Sequence, residues 1–211
     1  MNVRLFVLFV AAALAGSAAS IAVTSAGTGG RTVMTTAGLV QGDWERGVQV
    51  FRGIPFAEPP VGALRFRPPV EHKPWRGTRL ALDFAPACPQ IVTIDPTENN
   101  NSVQSEDCLA VNVWTPAADA KRRPVMVFIH GGAFIEGSAR NTGYDGAVLA
   151  RRGDLVVVTL QYRLGPFGFL ELSEIGGSEY AGSGNNGIRD QVAALRWVRQ
   201  TSPTSAAIPR T

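Results

Sequence analysis

The sequence predicts an α/β protein whose sheet begins antiparallel and becomes parallel, and three patterns carry that expectation. Two nearly continuous apolar runs, Pro124 to Ile129 (PVMVFI) and Leu155 to Leu160 (LVVVTL), flank a short helical segment around Ala147 to Arg152. Ahead of them the chain is punctuated by proline and glycine and carries only strand-like segments. Behind them, Ile188, Val192, Leu195 and Val198 recur at the spacing of one helical face.

The first residues read as an address label. Arg4 is a short positive region, Leu5 to Ala15 is unbroken apolar sequence, and Gly16 to Ala19 offers small-x-small cleavage sites. We therefore assign 1–26 to a secretory signal peptide and flexible start, which implies a secreted or periplasmic protein; an uncleaved anchor helix is the alternative. The apolar stretch is short of the roughly 20 residues of a comfortable membrane span.

Val48 to Ile54 is a strand candidate, followed by proline turns at Pro59, Pro60, Pro68 and Pro69. Leu109, Val111 and Val113 alternate with Ala110, Asn112 and Trp114, as in a strand with two different faces. The run Pro124 to Ile129 has the composition of a strand buried on both faces of a parallel sheet. With the helix at Ala147 to Arg152 and the run Leu155 to Leu160 it forms a βαβ unit, expected to cross over right-handed. The last helix presents Ile188, Val192, Leu195 and Val198 to a core, with Asn186 placed to cap it.

Composition narrows the function classes. With 211 residues and 45% of them apolar, the chain suffices for one globular domain. The net charge of +3 comes without a run of five basic residues, which argues against nucleic-acid binding. In an exported protein the two cysteines, Cys88 and Cys108, form a candidate disulfide, two buried thiols being the alternative. Such a bridge closes a loop of about 20 residues, which contributes about 3 kcal/mol on the chain-entropy account. The loop residues Ile91 to Ser105 are rich in Asn, Thr, Asp and Glu, as an exposed excursion requires.

The chemistry concentrates just after Ile129, where the chain reads His130-Gly131-Gly132-Ala133-Phe134. Two glycines directly after a strand let the backbone turn with N–H groups facing open space. Amides held that way stabilise the negative oxygen that develops in acyl transfer, as an oxyanion hole; a plain glycine turn is the other reading. His130 invites assignment as a general base, but a base needs a nucleophile in reach and a carboxylate behind it. His72, in a charged, proline-flanked stretch, is most simply an exposed loop residue.

Longer motifs narrow the choice. Phe51-Arg52-Gly53-Ile54-Pro55-Phe56-Ala57-Glu58-Pro59-Pro60-Val61-Gly62 with Leu64-Arg65-Phe66, then Ser105-Glu106-Asp107-Cys108-Leu109 with Asn112-Val113, resemble the two N-terminal signatures of type-B carboxylesterases and cholinesterases. Tyr144-Asp145-Gly146, Gln161-Tyr162-Arg163-Leu164-Gly165 and Asn186-Gly187 to Trp197-Val198 follow in that family's order, so the resemblance runs from about Val33 to Arg199. It implies an incomplete α/β-hydrolase fold over 27–199, N-terminal antiparallel strands leading into the parallel sheet. It also implies carboxylic-ester hydrolysis by serine acyl transfer, a small-molecule ester as partner, and neither cofactor nor metal.

Carried over residue by residue, the resemblance makes Gly132 and Ala133 the oxyanion-hole donors, with Gly131 shaping the turn. Cys88 and Cys108 become the family's first disulfide, and Arg65 with Glu106 and Arg163 with Asp190 its two structural ion pairs. Gln161 stands where asparagine is commoner and Ala133 where many members have glycine; neither change removes a backbone donor. No G-x-S-x-G occurs. The family's serine, acid and histidine are expected beyond the last residue, so this chain is expected to be inactive alone. A non-catalytic cholinesterase-like recognition or adhesion domain is the alternative. The tail 200–211 departs from the family, whose usual continuation is N-I-A-x-F-G-G-D-P. Back-translated one base out of register, that tail permits the same order, so a frame error near Gln200 is expected.

Overall fold

The computed structural model describes residues 32–91 and 103–201. The expected signal peptide and flexible start, most of the polar loop 91–105, and the tail from 202 onward lie outside the described residues.

Among the described residues eight strands and four α-helices follow in order: β1 (Thr32–Met34), β2 (Leu39–Gln41), β3 (Asp43–Glu45), β4 (Val48–Pro55), β5 (Thr78–Leu80), β6 (Ala110–Thr115), β7 (Val125–Ile129), α1 (Ala147–Gly153), β8 (Val156–Leu160), α2 (Gly165–Phe169), α3 (Ser173–Gly176) and α4 (Asn186–Thr201). They build a small sheet, β1-β2-β5, and a larger one in the order β3-β4-β6-β8-β7. In the larger sheet β3, β4, β6 and β8 pair antiparallel, and β7 joins β8 in parallel across α1. The predicted change from antiparallel to parallel pairing falls at β8.

Side-chain alternation sends the two faces of this sheet into two cores. Val111 and Val113 of β6 and Val156, Val158 and Leu160 of β8 join Phe51, Tyr162, Ala194, Trp197 and Val198 under α4. On the opposite face Val48, Val50, Trp114 and Val157 pack against Ala147 and Ala150 of α1. Asn112 would be an expensive intruder there, because an unpaired buried amide costs about 1–3 kcal/mol. Its side chain instead accepts from Gly53 N–H at 3.0 Å and donates to Thr159 Oγ1 at 2.9 Å and Ala139 O at 3.3 Å.

Four expectations need correction. The strand at Pro124 to Ile129 is not buried on both faces: among the described residues β7 is the edge of the sheet with β8 its one neighbour, and Met126, Phe128 and Ile129 remain 36–39% exposed. The face that α4 buries is not the predicted one. Asp190, Ala194, Trp197, Val198 and Thr201 are buried, whereas Ile188, Val192 and Leu195 are at least 40% exposed. A buried ion pair at Asp190 and the large ring of Trp197 set the rotation of the helix. Asn186 does not cap from outside either: a 3-10 turn, Ser183–Asn185, runs straight into α4, and Asn186 already has helical backbone angles. His72 is partly buried, its ring edge-on to Trp75.

Candidate oxyanion loop

The segment between β7 and α1 opens with His130-Gly131-Gly132-Ala133-Phe134 and turns sharply. Gly132 has φ +115°, and Ala133 and Phe134 have φ +52° and +65°, in the left-handed region that costs a non-glycine residue about 1–3 kcal/mol. Strain of this kind persists only where surrounding bonds over-determine the conformation, and here they do so at the start, apex and end of the loop.

At the start, the His130 Nδ1 lies 2.9 Å from Gly131 O. Its ring stacks on Tyr162 with centroids 4.5 Å apart, and the Tyr162 hydroxyl donates to His130 O at 3.0 Å. At the apex, Gly165 N–H donates to Phe134 O at 2.7 Å, and the rings of Phe134 and Phe169 meet at 4.9 Å. At the end, the Gln90 amide accepts from Gly137 N–H at 2.8 Å and donates to Gly137 O at 2.9 Å. Gln161 accepts from Ala139 N–H at 3.1 Å and donates to Ser138 Oγ at 2.9 Å.

These contacts determine where the amides face. In a trans peptide the C=O and the following N–H point in opposite directions. Gly131 O is held by His130, so Gly132 N–H is turned away from that ring. Gly132 O accepts from both Ile135 and Glu136 N–H at 3.0 and 3.1 Å, so Ala133 N–H is turned away from the body of its own turn. Among the described residues neither Gly132 N–H nor Ala133 N–H has a hydrogen-bond acceptor. Gly131 and Ala133 are exposed and Gly132 is partly so, which leaves room for an oxygen to approach.

His130 is unsuited to proton transfer. It is only 3% exposed, its Nδ1 is engaged by its neighbour's carbonyl, and its Nε2 has no partner among the described residues. Burial holds the imidazole below the ordinary value of 6.5, with the Gly131 hydrogen bond opposing weakly.

The two ion pairs differ in kind. Arg163 donates to Asp190 through Nε at 2.8 Å and Nη2 at 2.7 Å, with side-chain exposures of 3% and 0%, and Asp190 also accepts from Arg163 N–H at 3.0 Å. This pair secures the segment from Gln161 to Gly165, from which three of the loop's clamps reach out. Arg65 and Glu106 also form a two-point contact, both distances 2.6 Å, but Arg65 is 44% exposed. Cys88 and Cys108 form a disulfide with Cα atoms 5.1 Å apart, both fully buried. Among the described residues no group of three or more His, Cys, Asp or Glu side chains is placed to hold a metal. Nor is any helix there long and apolar enough to cross a membrane.

Sequence reasoning marked the glycines and missed what holds them. Gln90, Tyr162 and Gly165 lie more than 30 positions from the loop residues they hold, and only the family motif around Gln161 to Gly165 pointed near two of them.

Known proteins bear on the same residues. The carboxylesterase family model matches residues 30–202. The para-nitrobenzyl esterase of Bacillus subtilis (strain 168) is 47% identical over 171 residues, covering 80% of this chain and 34% of that protein. The acetylcholinesterase of Electrophorus electricus is 45% identical over 181 residues, covering 80% of this chain and 28% of that protein. Among solved structures, the Geobacillus stearothermophilus carboxylesterase EST55 at pH 6.8 superposes with a TM-score of 0.77 at 46% identity, over 84% of this chain and 36% of that one. The chain therefore spans about a third of the length of the relatives it matches. Its mixed sheet, order and pairing are those of an incomplete α/β-hydrolase fold. With the family match spanning both the antiparallel entry strands and the clamped glycine loop, the chain belongs to the carboxylesterase family.

Proposed function

We propose that this chain supplies the oxyanion-stabilising part of a carboxylic-ester hydrolase, and that Gly132 and Ala133 N–H are the donors. The observation that carries this reading is the pairing of two amides that meet no acceptor among the described residues with carbonyls tied back on the far side of each peptide plane. When a nucleophile adds to an ester carbonyl, charge moves onto the carbonyl oxygen. Fixed N–H dipoles stabilise that charge without reorganising, and one such donor is worth about 3 kcal/mol in the transition state. Gly131 gives the turn its shape, and His130 orients the first peptide rather than moving a proton.

Acyl transfer also needs a nucleophile, a base and an acid, and no G-x-S-x-G elbow occurs in this sequence. The chain alone is therefore inactive in this proposal, and small carboxylic esters are the substrates of the complete catalytic assembly. Relatives such as the para-nitrobenzyl esterase and the acetylcholinesterase support an ester as substrate class. The charged and apolar order of the first 26 residues supports export, and the out-of-register match of the tail supports a frame error near Gln200.

The test is turnover of short p-nitrophenyl esters by the chain as it stands and by the chain continued in the restored frame. Activity is expected only in the second. Ester turnover by the chain alone that survives replacement of every serine would overturn the proposal.

A further inference from the structure

Gln90 holds the loop in a way that its place in the sequence does not suggest. It follows Cys88 by two residues and reaches Gly137, 47 positions ahead, with both ends of its amide: Oε1 accepts from Gly137 N–H and Nε2 donates to Gly137 O. The same Nε2 lies 3.0 Å from Cys88 O. Its backbone is fixed in turn, since Gln90 N–H donates to Gln104 Oε1 at 2.9 Å, and Ala87 exchanges backbone hydrogen bonds with Val103 and Ser105. The Cys88–Cys108 disulfide closes this platform.

Gly137 sits where its position matters. With φ +111°, its missing Cβ would stand 2.3 Å from Gly131 O and 2.4 Å from His130 Nδ1. Its Cα therefore lies directly against the hydrogen bond that orients the peptide between Gly131 and Gly132. Displacement of Gly137 frees Gly131 O to rotate, and Gly132 N–H rotates with it because the peptide is planar.

We propose that Gln90 is a positioning residue for the Gly132 amide, acting through Gly137 and the His130–Gly131 contact, and that the disulfide serves as its anchor. The assignment of a purpose to that amide rests on the acyl-transfer reading above; the mechanical coupling does not. Hydrogen exchange of the full chain, read by mass spectrometry at micromolar concentration, separates the two, because it reports loop order whether or not any ester is hydrolysed.

Gln90→Met keeps the bulk and removes the side-chain hydrogen bonds to Gly137 and Cys88, so segment 131–141 should exchange about tenfold faster while segment 187–199 stays unchanged. Gln90→Glu supplies the sharper readout. Ionised, its carboxylate faces the Gly137 and Cys88 carbonyl oxygens and should loosen the loop at pH 8. Protonated, below about pH 4, it again offers one donor and one acceptor and should restore wild-type exchange at the same pH. Equal loosening of both segments, no change in 131–141 for Gln90→Met, or a Gln90→Glu response that does not depend on pH would each overturn the proposal.

Discussion

Replacing Asp190 by asparagine tests how the loop's foundation is built. The side chain is fully buried and accepts three hydrogen bonds, from Arg163 N–H, Nε and Nη2. Asparagine has the same shape but turns one acceptor oxygen into a donor, so at least one of those N–H groups faces another N–H. The guanidinium, 3% exposed, then keeps its charge with one amide oxygen and Arg67 O at 2.8 Å as acceptors and no carboxylate to neutralise it. Removing one partner of a buried pair costs about 3–5 kcal/mol, chiefly because the other charge is left uncompensated. In a domain of this size that lowers Tm by roughly 6–20 °C. Urea unfolding should show the loss as a fall in midpoint at unchanged m-value. The double variant Arg163→Met/Asp190→Leu removes both charges and should recover most of the loss. A loss below about 1 kcal/mol for Asp190→Asn, or a double variant weaker than the single one, would refute the reasoning. Glu106→Gln is the control, since its partner Arg65 is exposed to screening water; no resolvable shift in midpoint is expected there.

Other perturbations follow from the same contacts. Because burial depresses the His130 pKa, the unfolded chain takes up a proton that the folded chain refuses. This contribution to stability is complete above about pH 6.5 and is lost as pH falls toward the folded value, so Tm should drop between pH 7.5 and 5.5 and drop less in His130→Gln. Glu45, Asp119, Asp154 and Glu171 titrate below their usual values, Asp119 at about 2, so their window lies at lower pH; burial raises Asp190, whose contribution runs the opposite way but is common to the wild type and His130→Gln, so the difference between the two reports the histidine. Reduction of Cys88–Cys108 should remove about 3 kcal/mol, measured as the difference in unfolding midpoint with and without reductant. Gly137→Ala forces a side chain into the left-handed region and onto Gly131 O, and a loss of at least about 2 kcal/mol is expected from urea unfolding. Met126→Lys places a charge on the open strand β7 and should reduce concentration-dependent association in gel filtration.

The sheet was legible because its signal is local. Runs such as LVVVTL and the alternation at Leu109 to Trp114 depend on which faces are buried, and β6 and β8 are buried on both. The glycine loop was legible for the same reason, as a motif contained in a few residues. Its clamps were not. Gln90 and Gln161 are ordinary polar residues until the fold brings their amides to Gly137, Ser138 and Ala139, and nothing in their own neighbourhoods announces a partner tens of residues away.

The misread face of α4 has a different cause, and it connects to the misread strand. Hydrophobic periodicity reports which positions suit an apolar environment, not which neighbour provides it. Ile188, Val192 and Leu195 form a valid stripe, yet the buried face is chosen by Asp190, which must meet Arg163, and by Trp197 and Val198, which join the core. On β7 the apolar run is equally complete, yet Met126, Phe128 and Ile129 stay partly open because the sheet has no neighbour beyond that strand among the described residues. Both misreadings have the same sign: the pattern calls for more apolar contact than the described residues supply. An error of propensity would scatter in both directions. A consistent excess on α4 and on the strand at the edge of the sheet is in keeping with a match to about a third of each relative's length.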